Sequence, residues 1–229
     1  KGLGPGGAEQ LLLSSAAVAD RETFAYDVAY VRPDKDQLVK SLRELGVTVF
    51  RLGQSGSWLT DLRQRLGHYD IVHVHSPLLA GAVRLLARSI ARGRRPIIVS
   101  TEHNVWSNFS RPTRLLNALT GRMDDKRWAV SHEVKRSMWS PLATRTGVLR
   151  HGIDLGAAPP PPSSRAEIRR SLGIANDAPV VICVANLRKE KDYPNLMRAA
   201  ATVLESHPDA VFLAVGQGPL ETELAALHT

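Results

Sequence analysis

Cysteine is almost absent from this chain: Cys183 alone in 229 residues has no partner for an intrachain disulfide, which argues against a disulfide-stapled scaffold. Its place inside an apolar run makes it a core thiol in a reducing compartment. No apolar stretch reaches the roughly 20 residues of a membrane-spanning helix and no signal-peptide pattern opens the sequence, so a cytoplasmic protein is expected. Aromatics make up only 5%. The one dense basic cluster, Arg92 to Arg95, has none interleaved, which argues against a stacking platform for nucleic acid. That cluster reads instead as the C-terminal charge cap of a helix. A non-catalytic basic nucleic-acid-binding protein remains an alternative on charge alone, but no nucleic-acid partner is expected.

The charge that is present is unevenly placed. Residues 1–150 carry 23 Lys and Arg against 13 Asp and Glu, a net +10, while residues 151–229 carry 7 against 9, a net −2. The change coincides with His151 to Ser164, HGIDLGAAPPPPSS, where consecutive prolines forbid helix and favour an extended strap. Ser164 and Glu167 have the spacing of a capping box for the helix that follows. A basic domain over 1–150, a Pro-rich linker over 151–163 and a smaller domain over 164–229 are therefore expected.

Both domains alternate apolar strands with amphipathic helices. Strands are expected over 25–31, 47–52, 71–75, 96–101, 127–130 and 146–149, with helices over 34–45, 58–66, 76–91, 112–119 and 131–139. The second domain repeats the scheme with helix 164–172, strand 180–184, helix 192–206, strand 210–215 and helix 219–228. Strands separated by helical stretches of this length imply βαβ units and parallel sheets, which place functional loops at the strands' C-terminal ends.

The most informative of these units is Val180 to Ala201. Val180 to Val184 is a continuous apolar run, as expected of a strand buried on both faces. Arg188, Lys189 and Lys191 follow together, Asp192 is placed to cap the next helix and Pro194 suits its first turn. A helix N-terminus beside cations attracts phosphate; a solvated polar loop would look similar by composition. Four further loops fall at strand ends or helix starts. Gly4 to Gln10, GPGGAEQ, opens a helix with glycines that let an anionic group approach the backbone. His73 and His75 alternate with valines and share one strand face, but without a third ligand they make no metal site. Ser100 to Trp106, STEHNVW, puts His103 just past a strand as a candidate acid, base or hydrogen-bond donor. Val148 to Asp154, VLRHGID, closes the first domain.

In order and spacing these loops resemble the retaining GT-B glycosyltransferases of family 4. The resemblance rests on Gly6, Gly7, Ala8 and Glu9 for the family's GGxE loop, His73 to His75 for its HxH strand end and Thr101 to His103 for its TxH loop. Val130 and Ser131 match its VS stretch, and His151 to Asp154 its N-G-[VI]-D hinge. Ala185 to Lys191 matches G-R-L-x-x-x-K, and Gly216 to Pro219 the G-x-G-P turn. The resemblance implies an α/β GT-B fold: two Rossmann-like parallel-sheet domains facing across a cleft, the second truncated. It implies transfer of a hexosyl-type sugar from a nucleotide diphosphate sugar to a glycan or lipid-linked acceptor, with retention of configuration and without metal or other cofactor. It gives Lys191 the donor phosphates, Gly216 and Gly218 part of the substrate site, Gly6 and Gly7, with Glu9, the reacting diphosphate and sugar, and His103 the donor sugar.

Two departures matter. Asn186 stands where family members carry an arginine, exchanging a permanent bidentate cation for a neutral amide; Arg188, on the same side of an extended loop, is expected to replace it. His151 stands where they carry the hinge asparagine and is read as tolerated variation. The family's later E-x7-E motif and first strand are not found, so this polypeptide is expected to be a fragment that does not turn over by itself. A nucleotide-sugar epimerase of the same fold is the alternative enzyme. Lipid-linked acceptors, the positive charge and Trp58, Trp106, Phe109 and Trp139 suggest peripheral contact with an anionic membrane surface on its inner face, with Trp128 and Trp139 expected to be the more buried aromatics.

Overall fold

Strand and helix alternate as the hydrophobic periodicity dictates. The computed structural model describes residues 1–152 and 162–227, in two compact units spanning Lys1–Leu155 and Gly156–Thr229. The first unit runs α1 (Gly7–Ala17), β1 (Asp27–Tyr30), α2 (Val39–Glu44), β2 (Thr48–Arg51), α3 (Trp58–Leu66), β3 (Ile71–Val74), α4 (Pro77–Ala87), β4 (Ile97–Glu102), α5 (Arg111–Thr120), β5 (Lys126–Ala129), α6 (His132–Ser137), α7 (Ser140–Ala143) and β6 (Gly147–Val148). Every strand pair is parallel: β1 lies beside β2, and β3, β4, β5 and β6 are neighbours in that order. Val74 opposite Ser100 and Glu102 opposite Ala129 bring the C-terminal ends of the larger sheet to one edge, where His75 and His103 leave it.

Packing follows the apolar stripes. Leu62 and Leu66 of α3 and Ala80, Val83 and Ala87 of α4 close over Leu52, just past β2, and over Val74 and Ile98 of β3 and β4. Leu3, Leu38, Val39, Leu42, Val47 and Val49 form a second core under α2. Local signals place the helix starts: Ser131 Oγ accepts from the Val134 amide at 3.1 Å, Ser110 Oγ from Thr113, and Pro77 stands in the first turn of α4, as N-cap and N1 preferences dictate.

A buried ionic cluster ties these layers together. Arg84, with no exposed surface, donates from Nε to Asp124 Oδ1 at 2.6 Å and from Nη2 to Asp124 Oδ2 at 2.8 Å. Its Nη1 reaches Asn117 Oδ1 at 2.8 Å and Thr120 Oγ1 at 3.2 Å. Arg127 donates to the same Asp124 Oδ2 from Nε and Nη2, at 2.9 and 2.7 Å, and Ser100 Oγ adds a fifth bond to this carboxylate at 2.6 Å. One aspartate thus joins α4, β4 and β5, and through Arg84 it also holds α5. Glu102, on the same face of β4 as Ser100, is 2% exposed, and neither of its carboxyl oxygens has a partner. Burial raises its carboxyl above the ordinary value, against the opposing pull of Arg127 and Arg84.

Departures from the expected elements trace to tertiary bonds. Residues 34–38, expected in a helix, form a turn whose neighbours bind the chain's start: Val31 and Arg32 donate to the Lys1 carbonyl, Leu3 donates to Lys35 and Leu38 to Leu3. The helix expected over 131–139 ends at Ser137 because Met138 turns extended and buries its side chain, after which Pro141 sits in the first turn of α7. Trp106, assigned above to a membrane surface, is 5% exposed and packs on Met138 and Leu142, whereas Trp139, expected to be buried, is 49% exposed. Among the described residues no helix is long and apolar enough to cross a membrane.

The second unit contains α8 (Pro162–Ser171), β7 (Val180–Val184), α9 (Tyr193–Ser206), β8 (Val211–Val215) and α10 (Glu221–Leu227). Strand β7 pairs in parallel with β8, Val180 opposite Val211 through Val184 opposite Val215. Within the expected linker, residues 153–161 lie outside the described residues. Helix α8 begins at Pro162, so Ser164 lies inside its first turn and does not cap it. Strand β7 is not buried on both faces: Cys183 packs toward Tyr193 and Leu196, whereas Ile182 and Val184 are 57% and 72% exposed. Helices cover one side of this two-stranded sheet and the other is open.

Candidate active site

In the second unit the turn after β8 is pressed onto the loop after β7. Leu187 N–H donates to the Gln217 carbonyl at 3.0 Å, Ala185 to Val215 at 3.0 Å, and Leu220 to Leu187 at 3.2 Å. Tyr193 Oη donates to the Ala185 carbonyl at 2.8 Å and fixes the loop from the helix side. The approach requires glycine: a Cβ at Gly216 would stand 1.9 Å from the Ala185 oxygen, and one at Gly218 2.3 Å from the Leu187 oxygen. Both glycines singled out from the sequence are therefore structural: they let the turn after β8 close onto the loop that carries the cations.

That loop differs from the expected extended strand. Arg188 N–H bonds back to the Asn186 carbonyl at 2.8 Å, so the chain turns at Leu187, burying it while Asn186 and Arg188 stay exposed on either side. Residues Lys189–Lys191 form a short 3-10 turn, closed by the Lys191 amide on the Arg188 carbonyl at 2.9 Å. Arg188 and Lys191 are thus brought onto one turn with exposed side chains. Asp192 does not cap α9: it adopts the left-handed conformation, φ 49°, with no capping bond from its side chain. Pro194 has no N–H, and the amides of Asn195 and Leu196 bond to the Asp192 carbonyl. The positive character at the head of α9 therefore comes from side chains more than from free helix amides.

In the first unit, Gly6 is the N-cap of α1 in extended conformation, with no side chain capping the helix. Glu9 folds back over it, its Oε2 standing 2.3 Å from where a Gly6 Cβ would be, while Gly7 has open space around it. A bare helix start with a carboxylate beside it suits a hydroxyl-bearing group better than a phosphate, because Glu9 opposes the anion attraction of the helix end.

His103 is not isolated. Its Nε2 lies 3.0 Å from His75 Nδ1, and His73 Nε2 lies 2.8 Å from Thr101 Oγ1. The rings of His73 and His75 are 4.2 Å apart, those of His75 and His103 5.3 Å, and His151 stacks on His103 at 5.3 Å and 12°. Burial, then the charges of neighbouring histidines, lowers His75 to about 3 and His103 to about 4, and burial lowers His73. All three shifts favour the neutral imidazole, although His73 and His75 keep exposed surface. Among the described residues no group of three His, Cys, Asp or Glu could hold a metal ion. The shared face of His73 and His75 was readable from alternation, but their link to His103, and the stacking of His151, were not: both depend on the order of β3, β4 and β6.

Parallel strands with loops gathered at their C-terminal ends, a diglycine helix start and a glycine turn docked on a cation-bearing loop fit an α/β GT-B glycosyltransferase fold. The profile of Glycosyltransferase Family 4 matches residues 5–157, and that of Glycosyl transferases group 1 matches residues 164–228. The chain belongs to Glycosyltransferase Family 4. Putative glycosyltransferase EpsF of Bacillus subtilis is 25% identical over 240 residues, covering 97% of this chain and 62% of that protein. D-inositol 3-phosphate glycosyltransferase of Actinosynnema mirum is 32% identical over 168 residues, 67% of this chain and 39% of that protein. Anabaena Alr3699/HepE in complex with UDP and glucose shares the fold with a TM-score of 0.79 and 21% identity, covering 98% of this chain and 62% of that one. The chain thus spans less than two thirds of the length of these relatives.

Proposed function

We propose that this protein is a glycosyltransferase whose second unit binds the diphosphate of a nucleotide sugar, from which a hexosyl group is transferred with retention of configuration. The observation that carries the reading is the glycine turn docked on Ala185 to Leu187, which leaves Arg188 and Lys191 exposed together on one turn. A leaving nucleoside diphosphate gains charge in the transition state, and cations held on its phosphates stabilise that charge. The UDP and UDP-glucose complexes of the Anabaena structures support this donor class. In this reading Gly6, Gly7 and Glu9 attend the hydroxyl-bearing group, and neutral His103 acts as a hydrogen-bond donor to the transferred sugar; no metal or further cofactor enters.

Nucleoside diphosphate binding is testable on the chain itself, by calorimetry or thermal shift. Lys191→Ala is expected to weaken it about 10- to 100-fold, the range for losing a charge-assisted hydrogen bond, and Arg188→Ala by a smaller but measurable factor. Absence of binding to any nucleoside diphosphate by the native chain refutes the donor site. If Arg188→Ala leaves affinity untouched while Lys191→Ala abolishes it, Arg188 does not replace the arginine absent at Asn186.

A lipid-linked or polysaccharide acceptor at an anionic membrane surface is a further part of the reading, favoured by a specific surface. Eight arginines lie between Pro77 and Met123, and the only acid there, Glu102, is buried. Packed helices α4 and α5 expose Leu78, Leu85, Leu115 and Leu119, the last at 70%. Arg84 is buried on Asp124 and Arg95 lies near Asp125, but exposed leucines on the helices that also carry Arg88, Arg111 and Arg114 suit anionic headgroups. Flotation with vesicles containing anionic lipid is expected to recover the chain, salt to release it, and Leu115→Ser with Leu119→Ser to reduce recovery. Equal recovery on neutral vesicles sinks the electrostatic account.

A further inference from the structure

The contact between His75 Nδ1 and His103 Nε2, at 3.0 Å, links the tautomers of the two rings. A neutral imidazole carries one N–H and one bare nitrogen, so a single proton must lie in this contact: two N–H groups or two lone pairs facing each other would repel. With the proton on His75 Nδ1, His103 keeps its own on Nδ1 and its free edge is a donor. With the proton on His103 Nε2, that edge is a bare acceptor. The role given to His103 above is that of a donor to a sugar oxygen, and only the first arrangement leaves an N–H on its free edge. The neighbours hold both rings in place: His73, anchored at 2.8 Å to Thr101 Oγ1, lies against His75, and His151 covers the face of His103.

We propose that His75 is a positioning residue, donating from Nδ1 to His103 Nε2 and thereby holding His103 as the Nδ1–H tautomer that offers a donor to a substrate oxygen. The inference rests on the role given to His103 under the proposed function, but its test does not. Long-range nitrogen–proton spectra of the histidine-labelled chain report each ring's tautomer at neutral pH. His75 and His103 are both expected as Nδ1–H. His75→Phe keeps a ring and removes both nitrogens, and is expected to move His103 toward Nε2–H. His75→Asn, whose amide nitrogen stands near the place of Nδ1, is expected to restore Nδ1–H; a merely structural role would not distinguish these two variants. A native His103 in the Nε2–H form, or a His103 that stays Nδ1–H in His75→Phe, overturns the proposal. If His75→Phe does not fold, the native spectrum and the Asn variant decide. Nucleoside diphosphate affinity reports separately on the donor site: its absence removes the proposed function while leaving the tautomer result standing.

Discussion

Asp124→Ala is expected to destabilise the first unit by roughly 3–5 kcal/mol, the cost of removing one partner from a buried ion pair. Two guanidiniums would then be left buried. Arg84 and Arg127, 0% and 4% exposed, together place four hydrogen bonds on this one carboxylate, and Ser100 adds another. Glu102 is close enough to feel both arginines, but desolvation works against its ionisation and its oxygens bond neither, so it is poorly placed to substitute. At about 2–4 °C per kcal/mol for a unit of this size, the melting transition should fall on the order of 10 °C, read by calorimetry or near-ultraviolet circular dichroism. Arg84→Met should cost less, because Asp124 keeps Arg127 and the charge removed leaves none unpaired. A shift under about 2 °C in Asp124→Ala would show that water replaces the aspartate, and the cluster would no longer account for how α4, α5, β4 and β5 are held together.

The same cluster marks where sequence reasoning stops. A continuous apolar run located β7 at Val180–Val184 and helical periodicity α3 at Trp58–Leu66 to the residue; in α3 the buried Leu62 and Leu66 write the period directly into the chain. Arg84 interrupts the apolar face of α4 within PLLAGAVRLLA, a visible anomaly, but its partners lie 16 to 40 positions away, and no local pattern names them. The histidines behave alike. His73 and His75 were placed on one face by alternation, and His103 at a strand end; that His75 bonds His103 follows from β3 and β4 being neighbours, and the stacking of His151 from β6 completing the sheet. Residue types and loop positions of the candidate site were thus legible. Side-chain pairing was not, because pairing is a property of strand order. The exposed Ile182 and Val184 make the converse point: an apolar run shows that a strand can be buried, but its neighbours decide whether it is.

Gly216→Ala should deform the donor loop and remove nucleoside diphosphate binding. The added Cβ would stand 1.9 Å from the Ala185 oxygen and 2.9 Å from its carbonyl carbon. Both are backbone atoms, so no side-chain rotation relieves the overlap. The Ala185 carbonyl is also the acceptor for Tyr193 Oη, at 2.8 Å, and Tyr193 is 1% exposed; displacing the carbonyl therefore strains a buried hydrogen bond as well as the loop. Overpacking of this kind costs typically 1–3 kcal/mol, and a strained buried bond adds about 1 kcal/mol more. Gly218→Ala meets the same obstacle at Leu187, whose oxygen, carbonyl carbon and nitrogen lie 2.3, 2.8 and 2.9 Å from the new Cβ. Arg188 and Lys191 follow directly along this loop, and a displacement near 1 Å is enough to misplace cations that must meet phosphate oxygens within hydrogen-bond range. The two glycine variants should therefore lose nucleoside diphosphate affinity by at least the factor expected for Lys191→Ala, although neither removes a charge. Gly173→Ala, outside this loop and with open space around its Cβ position, is the control: at φ 67° it should lower stability modestly through backbone strain and leave affinity unchanged. Native affinity in Gly216→Ala would mean that the two loops separate without consequence, and the docking of the glycine turn could no longer be what presents Arg188 and Lys191.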